Sequence, residues 1–507
     1  MNSYYFTEEH TLFRQSLRSF LQQEAIPYID EWEEQRRIPR SIWKKMGEMG
    51  FLGLSYPEKY GGMNLDFFYD VVFNEEVART NSGGFAITQQ VTQYMASPYI
   101  LKYGSERLKE KYLPGIISGD LICSIGITEP GAGSDAQNIQ TRAERQGDYY
   151  IVNGSKTFIT NAVYGDFIVT VVKTNPEAGA AGVSLLVIDR QSEGVSARKL
   201  KKLGWHASDT AELSFDDVKV PAENLIGDEG KGFYYLMNGL QLERLVAVPS
   251  CVSGMEWAIE TTLQYMSERQ AFGRPINKFQ VLRHRIAQMA SEVEALKAFS
   301  YHCCKLYDDK IYDVKLCSMA KMLATEKAEE IATKCLQMFG GYGFMEDYPL
   351  ARMYRDVRVG TIGGGSSEIM REIIAKIVID DVDYQAASPT PQKKHLSNNG
   401  SQGAITSPPP TFEQFMATIQ EKASKTPPLG KTLAFDFGET HLFIDGTGET
   451  NEVTKHDQQA DCTVSISMED LMAISSGKLN PMGAMMSGKL QIEGDMSVAM
   501  KLQSLLA

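Results

Sequence analysis

The sequence is poor in the features that mark membrane, nucleic-acid-binding and metal proteins. It has no apolar run close to the roughly 20 residues that a membrane-spanning helix needs. Its net charge of −13 argues against nucleic acid or an anionic membrane surface as a partner. Its seven cysteines form no CxxC pair, and its seven histidines form no triad or metal-ligand spacing. We therefore expect no nucleic-acid partner, no membrane span and no metal site.

The two ends of the sequence also lack targeting signals. Residues 1–20 enter an amphipathic helix at once and carry acids, unlike a signal or transit peptide. The final residues, Leu505-Leu506-Ala507, are not a simple peroxisomal address. Several cysteines lie in apolar helical contexts, which is typical of reduced thiols. We expect a cytoplasmic protein.

A chain of 507 residues is too long for one hydrophobic core. The pattern of residue types changes twice within the first 384 residues. Residues 1–120 read as a helical domain, with apolar residues at helical spacing between Gly and Pro breaks. Residues 121–229 are rich in β-branched and aromatic residues separated by turns, which favours a barrel or sandwich over a Rossmann fold. Residues 230–384 form long helical segments suited to a four-helix bundle. Predicted helices in the two helical parts cover 6–24, 42–50, 65–79, 84–103, 106–118, 232–268, 279–307, 312–339 and 365–380. Predicted strands cover 121–128, 149–160, 167–174, 184–189 and 211–220.

The end of the chain differs again. Residues 385–410 are polar and rich in Pro, Ser and Gly, which predicts a flexible linker. Residues 411–507 read as a small α/β domain. Its predicted strands cover 433–437, 442–444, 462–467 and 490–493, and its later helices cover 469–476 and 496–506.

One acid stands on an apolar helical stripe at the start of the predicted bundle. Glu243 shares its stripe with Phe233, Leu236, Leu240 and Ala247, and much of the remaining helix surface is apolar too. A buried carboxylate is costly unless it is paired or protonated, and Arg244 points about 100° away around the helix. Periodicity alone leaves two alternatives open, an ion pair with a distant arginine or a general base with a tuned pKa.

Several ordered motifs carry a resemblance to a known family. They are TEPGAGSD (Thr128–Asp135), Phe158-Ile159-Thr160, LGWHASDTAELSFDDVKVPAENLIG (Leu203–Gly227), ERQAFGRPINKFQ (Glu268–Gln280), QMFGGYG (Gln337–Gly343) and YRDVRVGTIGGGSSE (Tyr354–Glu368). Over residues 4–380 the chain resembles the acyl-CoA dehydrogenases. The resemblance implies that family's fold: an N-terminal α-helical domain, a middle β-barrel and a C-terminal four-helix bundle. It also implies FAD bound between subunits of a homotetramer, an acyl-CoA substrate and an electron-transfer flavoprotein as acceptor.

The same resemblance assigns site residues. Thr128 would contact the flavin pyrimidine edge, Thr160 would lie near N5, and Arg269 would reach the FAD of a neighbouring subunit. The full set of implied cofactor contacts is Ile125, Ile127, Thr128, Gly133, Ser134, Phe158, Ile159, Thr160, Arg269, Phe272, Gln280, Gln337, Gly340, Gly341, Ser366 and Glu368. The implied substrate contacts are Ser134, Tyr234, Gln241, Arg244, Gly364 and Gly365. Trp205 and His206 are expected to be structural.

The chain departs from the commonest family pattern at one position. Many members carry the catalytic Glu in the late loop, where this chain has Gly364, and glycine cannot take a proton. The isovaleryl and long-chain branches place the base in a helix, directly before Arg-Leu, in a signature that resembles Leu240-Gln241-Leu242-Glu243-Arg244-Leu245 of this chain. The resemblance therefore favours Glu243 as the catalytic base, and an ion-paired Glu243 in a non-catalytic member is the alternative.

Residues 411–507 resemble the sterol carrier protein 2 domain through ADCTVSIS (460–467), DLMAISSGKLNPM (470–482) and SGKLQIEGDMSVAMKL (487–502). The resemblance implies a tunnel for lipid or fatty acyl-CoA. Methionines would line this tunnel, or would simply fill an irregular core: Met468, Met472, Met482, Met485, Met486, Met496 and Met500. On a flexible linker the domain could concentrate acyl-CoA near the dehydrogenase.

Two other functions remain open at this stage. An acyl-CoA oxidase would use oxygen as acceptor, but the chain continues into a linker and a sterol carrier-like domain rather than the extra helical domain usual in oxidases. A lipid- or acyl-CoA-binding scaffold would keep the fold without turnover. The favoured function is α,β-dehydrogenation of a long- or branched-chain acyl-CoA to a trans-2-enoyl-CoA, as the resemblance to the long-chain and isovaleryl branches implies.

Overall fold

The computed structural model describes residues 4–382, 384, 416, 419–420, 423, 428–437, 440–448, 450–455, 458, 460–467, 470–471 and 490–494. The chain divides into two compact units, Met1–Pro391 and Gln392–Ala507. The predicted linker at 385–410, most of the helix at 469–476, the helix at 496–506 and the C-terminal methionines lie outside the described residues. The domain boundaries drawn from composition remain predictions.

The first unit begins with seven helices, several of which are capped at their starts by polar side chains. They are α1 (Glu8–Glu24), α2 (Ile29–Gln35), α3 (Arg40–Glu48), α4 (Phe67–Ala78), α5 (Gly83–Gln90), α6 (Ser97–Tyr103) and α7 (Glu106–Ile117). Thr7 caps α1, Asp66 caps α4 and Ser82 caps α5, each accepting a hydrogen bond from a first-turn backbone N–H. The prediction that this part of the chain is helical is therefore confirmed.

One helix boundary differs from the prediction. The pattern predicts a continuous helix over 84–103, but a π-helical segment, Val91–Ala96, separates α5 from α6. Pro98 has no backbone N–H to donate to Tyr94, so the α-helical hydrogen bonding cannot continue unbroken. Ser97 instead donates its hydroxyl to the carbonyl of Thr92. Such π-helical segments redirect the helix that follows.

The middle of the first unit is one seven-stranded sheet with strand order β1-β4-β2-β3-β7-β6, in which β5 pairs with β4. Its strands are β1 (Cys123–Gly126), β2 (Arg142–Gln146), β3 (Tyr149–Thr160), β4 (Phe167–Lys173), β5 (Val183–Asp189), β6 (Val195–Lys199) and β7 (Thr210–Pro221). The long pair β3–β7 is antiparallel, and its register shifts between Lys156 and Ile159. Strands β2 and β6 escaped prediction because most of their side chains are polar and exposed.

The rest of the unit is a helical bundle with a small hairpin. Its elements are α8 (Gly232–Glu268), β8 (Gln270–Ala271), β9 (Arg274–Pro275), α9 (Gln280–Asp308), α10 (Val314–Met338), α11 (Pro349–Val357) and α12 (Ser367–Val378). The four predicted long helices are confirmed to within about two residues at each end, and α11 was not predicted. Helix α8 packs against α4, α9 and α10, so most of its surface is covered.

The second unit contains a five-stranded sheet in the order β12-β11-β10-β13-β14. Its strands are β10 (Thr432–Asp436), β11 (His441–Asp445), β12 (Glu452–Thr454), β13 (Cys462–Ile466) and β14 (Leu490–Gly494). The pair β10–β13 is parallel and the other pairs are antiparallel. The four strands predicted in this part are confirmed, and Leu433, Phe435, Ile444 and Val464 lie in its apolar core. Among the described residues of both units, none of the helices has the length and hydropathy to cross a membrane.

Candidate active site

Glu243 lies in the buried middle of α8. Only 7% of the residue is exposed, and its neighbours Leu242, Leu245 and Val246 lie in an apolar core. Its hydrogen-bond donor is Tyr99 of α6, whose hydroxyl lies 3.0 Å from Oε1 of Glu243. Burial raises the pKa of Glu243 to about 7, although the Tyr99 hydrogen bond and the Arg244 charge both lower it. A carboxyl group with such a pKa can exchange protons near neutral pH. The alternative of an ion pair with a distant arginine is wrong, because the partner is a tyrosine.

Arg244, the next residue, points to the loop before α12. Its Nε donates to the carbonyl of Gly364 at 3.3 Å. Nζ of Lys321, on α10, donates to the carbonyl of Gly365 at 2.7 Å. Both cations are at least nine-tenths buried, and burial lowers the pKa of Lys321 to about 8. The two cations thus hold the late loop against the helix that carries Glu243.

The late loop needs glycine at both positions. Gly364 has a φ of +65° and Gly365 a φ of +95°, which side chains disfavour. A Cβ on Gly365 would lie 2.7 Å from Cε of Met370, whereas a Cβ on Gly364 would meet nothing within 4 Å. The loop therefore places open space, and no acid, beside the helix that carries Glu243.

Family comparisons agree with this arrangement of helices, sheet and bundle. Acyl-CoA dehydrogenase N-terminal, middle and C-terminal domains match residues 7–120, 124–218 and 230–379. The chain belongs to the acyl-CoA dehydrogenase family. The SCP-2 sterol transfer family matches residues 412–507, so the second unit is a sterol carrier domain. The family and the fold predicted from the motifs are confirmed.

Individual relatives give the same assignment. The chain is 41% identical over 381 residues to the mitochondrial long-chain specific acyl-CoA dehydrogenase of Mus musculus, covering 74% of this chain and 88% of the relative. It is 34% identical over 378 residues to the mitochondrial isovaleryl-CoA dehydrogenase of Oryza sativa, covering 74% and 92%. The crystal structure of an acyl-CoA dehydrogenase from Geobacillus kaustophilus is 46% identical, with a TM-score of 0.72 over 74% of this chain and 99% of the other. The chain is thus an oxidoreductase of the acyl-CoA dehydrogenase type.

Two of the predicted cofactor segments of this acyl-CoA dehydrogenase are joined by a backbone hydrogen bond. The N–H of Thr157 donates to the carbonyl of Thr128 at 2.8 Å, so the loop after β1 lies against β3. At the register shift in β3, Phe158 has a φ of +63° and its side chain is 68% exposed. Ile159 is buried in the core of the sheet, so only its backbone is available to a cofactor. Thr128 and Thr160 are half-buried, and Gly133 and Ser134 are exposed.

The nearby isoleucines have a different environment. Ile125 and Ile127 are half-buried and pack against the apolar core that the sheet shares with α6 and α7. Their side chains therefore anchor the start of the loop to this core, in addition to any contact they make with a cofactor.

A second group of predicted cofactor residues gathers at one end of the bundle. The guanidinium of Arg269 lies 5.6 Å from the centre of the Tyr342 ring, which brings the β8–β9 hairpin beside the loop after α10. Gln337 near the end of α10 is exposed, and so are Gly340 and Gly341 on that loop, Gln280 at the start of α9 and Phe272 at the hairpin tip. Phe272 is 95% exposed. The Phe272 ring is therefore available for contact with a ligand or a partner.

The remaining predicted residues are distributed over the bundle. Ser366 caps α12, accepting from the N–H of Ile369 at 3.3 Å, and Glu368 in the same turn is exposed. Tyr234 is 41% exposed at the start of α8. Gln241 is buried about 200° around the helix from Glu243 and lines a small cavity with residues of α9 and α10. The structure therefore brings Arg244, the residue after Glu243, to Gly364 and Gly365, and places Gln241 on another face of the helix.

The sequence analysis missed two residues of this site. Tyr99 carries no local signal, because its partner lies 144 residues away in the chain. Lys321 did carry a local signal. A lysine inside the apolar stretch Met319–Ala324 is expected either to reach solvent or to find a buried hydrogen-bond acceptor. Only the packing of α10 against the late loop shows that the acceptor is a backbone carbonyl.

Proposed function

We propose that this acyl-CoA dehydrogenase removes the α-proton of an acyl-CoA thioester with Glu243. The observation that carries the proposal is a buried carboxyl group, with a pKa raised to about 7, on the helix against which the acid-free late loop is held. A base works best when its pKa lies near the operating pH. Long-chain and isovaleryl relatives support a long- or branched-chain substrate.

The residues of the β-sheet loops suit a flavin. The hydrogen bond between Thr157 and Thr128 holds two segments with half-buried hydroxyls next to each other, and Phe158 is exposed beside them. This arrangement offers hydroxyl and backbone N–H donors to a ring edge and an aromatic surface to its face. Thr128, Ser134 and Thr160 would hold FAD on one side, and Arg269, Gln280 and Gln337 of a second copy would hold it on the other. When bound, FAD accepts the β-hydrogen of the substrate as hydride.

The chain's own residues supply the rest of the chemistry. Glu243, ionised, takes the α-proton, and the electron pair of the broken C–H bond forms the α,β double bond as the β-hydride leaves, giving a trans-2-enoyl-CoA. Backbone N–H groups of Gly364 and Gly365 would donate to the thioester oxygen, which makes the α-proton more acidic. Arg244 and Lys321 keep this loop in place through its carbonyls.

The proposed assembly is a homotetramer that passes electrons to an electron-transfer flavoprotein. Three exposed phenylalanine rings are available for contact with a second copy: Phe158, Phe272 and Phe344. We also propose that the sterol carrier domain binds lipid or fatty acyl-CoA. The cytoplasmic location remains a prediction, supported by seven free thiols.

Anaerobic titration of the purified flavoprotein with acyl-CoAs of different lengths tests the proposal. Bleaching of the flavin spectrum shows dehydrogenation, and slow recolouring in air with fast recolouring by electron-transfer flavoprotein indicates a dehydrogenase. Rapid recolouring by air would instead indicate an oxidase. If no thioester bleached the flavin, the chain would be a binding protein.

The variant Glu243→Gln tests the base. We expect it to keep FAD and acyl-CoA binding but to lose flavin reduction by about four orders of magnitude, because an amide cannot accept the α-proton. Glu260→Gln is the matched control, since Glu260 lies on the same helix, is paired with Arg79 and is exposed. Retained reduction in Glu243→Gln would exclude Glu243 as the base.

A further inference from the structure

Tyr99 is a buried phenol that contacts Glu243 directly. Only 2% of Tyr99 is exposed. Its hydroxyl lies 3.0 Å from Oε1 of Glu243 and 3.4 Å from the carbonyl oxygen of Leu236. The phenol has one proton to donate, and the nearer acceptor becomes a full anion when Glu243 ionises. A hydrogen bond to an ionised acceptor is stronger than one to a neutral carbonyl, so Glu243 is the preferred partner.

Gly239 makes room for this phenol. It lies one helical turn before Glu243, on the same face of α8. Glycine is unfavourable inside a helix, yet a Cβ at this position would lie 2.1 Å from the Tyr99 hydroxyl oxygen and 2.3 Å from Cζ of its ring. Any larger residue would displace the ring. Glycine at position 239 is therefore explained by the space that the Tyr99 ring occupies.

Few charged or titratable groups compete for Glu243. Tyr99 faces it from α6, and Arg244, its neighbour on α8, acts on it through charge. Arg244 itself binds the carbonyl of Gly364, and Lys321, Cys317 and Tyr312 from the surrounding bundle act on Arg244 or the late loop. Tyr99 is thus the group that touches the carboxylate.

We propose that Tyr99 is a positioning residue for Glu243, admitted by Gly239, which holds one carboxylate oxygen in place and leaves the other for the substrate proton. The inference rests on the proposed role of Glu243 as base. It assigns to α6 a part in the reaction, although no residue of that helix is expected to touch the reacting atoms.

The test is the pH profile of flavin reduction in the full-length holoenzyme carrying Tyr99→Phe, which keeps the ring and removes only the hydroxyl. The base must be ionised to act, so wild-type rates rise as pH passes through about 7. Without the phenol the carboxylate is less stabilised, so the pKa of Glu243 is higher. We therefore expect the rising limb of the pH profile to move up by about one pH unit. At a pH below the limb this shift appears as a loss of about tenfold.

Tyr56→Phe is the matched control. Tyr56 is also buried, and its hydroxyl bonds with Ser97 at the start of α6, 2.6 Å away, without reaching Glu243. The control variant loses the hydrogen bond that a buried phenol makes with the same helix. It therefore reports any effect that comes from general loosening of α6. We expect its pH limb to match the wild type. Gly239→Ala is a second variant, expected to move the limb in the same direction as Tyr99→Phe by displacing the ring.

An infrared difference titration measures the carboxyl group without turnover. The band of protonated Glu243, identified by its loss in Glu243→Gln, should persist to a higher pH in Tyr99→Phe. An unshifted limb and band, or an equal shift in Tyr56→Phe, would overturn the inference. If Glu243→Gln remained active, the proposed base itself would be wrong, whereas an inactive Glu243→Gln with an unshifted Tyr99→Phe would exclude only the role of Tyr99.

Discussion

Glu243 and Gly364 are 121 positions apart in sequence, yet Arg244 joins their segments through a hydrogen bond to the Gly364 carbonyl. In the family that the chain resembles, the catalytic base lies at either of these two positions. In this chain the helix position carries the acid, and the loop position carries a glycine at φ +65° with open space around it. The local geometry thus fits a base on the helix, since the alternative position in the loop carries no acid.

That open space predicts a partial rescue. In the double variant Glu243→Gln/Gly364→Glu, the loop carboxylate should restore on the order of 100-fold of the lost flavin reduction rate. The rescue should fall short of the wild type, because a side chain at positive φ costs about 1–2 kcal/mol. Single-turnover reduction under anaerobic conditions measures it.

Glu243→Gln/Gly364→Gln is the control for this rescue, since it has the same strain and shape without a base. Equal rates in the two double variants would show that the late loop does not face the α-carbon.

At the scale of secondary-structure elements, a buried ion pair joins the loop after β1 to strand β3. Nζ of Lys156 lies 2.7 Å from Oε1 of Glu129, and the same lysine donates to the carbonyl of Ile127. Burial lowers the pKa of Lys156 to about 8. Burial alone would raise the pKa of Glu129, but the charge and hydrogen bond of Lys156 hold it below its usual value. Both groups are therefore charged at pH 7.

Breaking this pair should cost much more than breaking a surface pair. Lys156→Met leaves Glu129 buried without its cation, and we expect a stability loss of about 3–5 kcal/mol. Urea unfolding monitored by fluorescence measures the loss. Flavin retention should fall with it, because the pair holds the Thr128 loop against β3.

Lys44→Met removes the exposed pair with Asp120 and is the control, with a much smaller expected change. Lys156→Met/Glu129→Gln should recover part of the loss, since no buried charge is then left unpaired. A Lys156→Met protein as stable as the Lys44→Met protein would contradict the role given to the pair.

The segment from α5 to α6 shows how an interrupted helix serves the site. The π-helical Val91–Ala96 ends at Ser97 and Pro98, and α6 then presents Tyr99 to α8. Tyr56 also contacts this segment, donating to the carbonyl of Gln93 at 3.0 Å. A continuous helix over 84–103 would direct these side chains differently, since each residue added or removed turns the helix by about 100°.

At the scale of the whole molecule, the chain combines an acyl-CoA dehydrogenase with a sterol carrier domain. The composition of residues 385–410 predicts a flexible connection. A tethered binding domain raises the local concentration of its ligand without adding any contact to the enzyme. The benefit should be confined to scarce substrates that the sterol carrier domain binds.

Cleavage at a protease site inserted within 385–410 tests this coupling while both parts remain in solution. At limiting long-chain acyl-CoA we expect kcat/KM to fall severalfold on cleavage, because the effective concentration is lost. Steady-state assays before and after cleavage measure it, and a short-chain acyl-CoA is the control substrate. An unchanged long-chain kcat/KM would show that the sterol carrier domain does not deliver substrate.

Much of the fold could be predicted because its signals are local. Long apolar periodicities gave α8, α9, α10 and α12, and β-branched runs gave β3, β4, β5 and β7. Strands β2 and β6 were missed because they are short and most of their residues are polar and exposed. The break at Val91–Ala96 was missed because hydrophobic periodicity persists through a π-helical segment.

The sequence by itself determined the family, the order of the helical, sheet and bundle parts, and the choice of Glu243 over Gly364 as a candidate base. The order of the parts follows from composition and hydrophobic periodicity, whereas the family and the candidate base follow from motifs that resemble those of the acyl-CoA dehydrogenases. Only the tertiary structure decided what surrounds Glu243, because the pKa of a buried acid depends on packing and on groups distant in sequence. Tyr99 from α6, the space left by Gly239, and Lys321 on the late loop come together only when the helices pack.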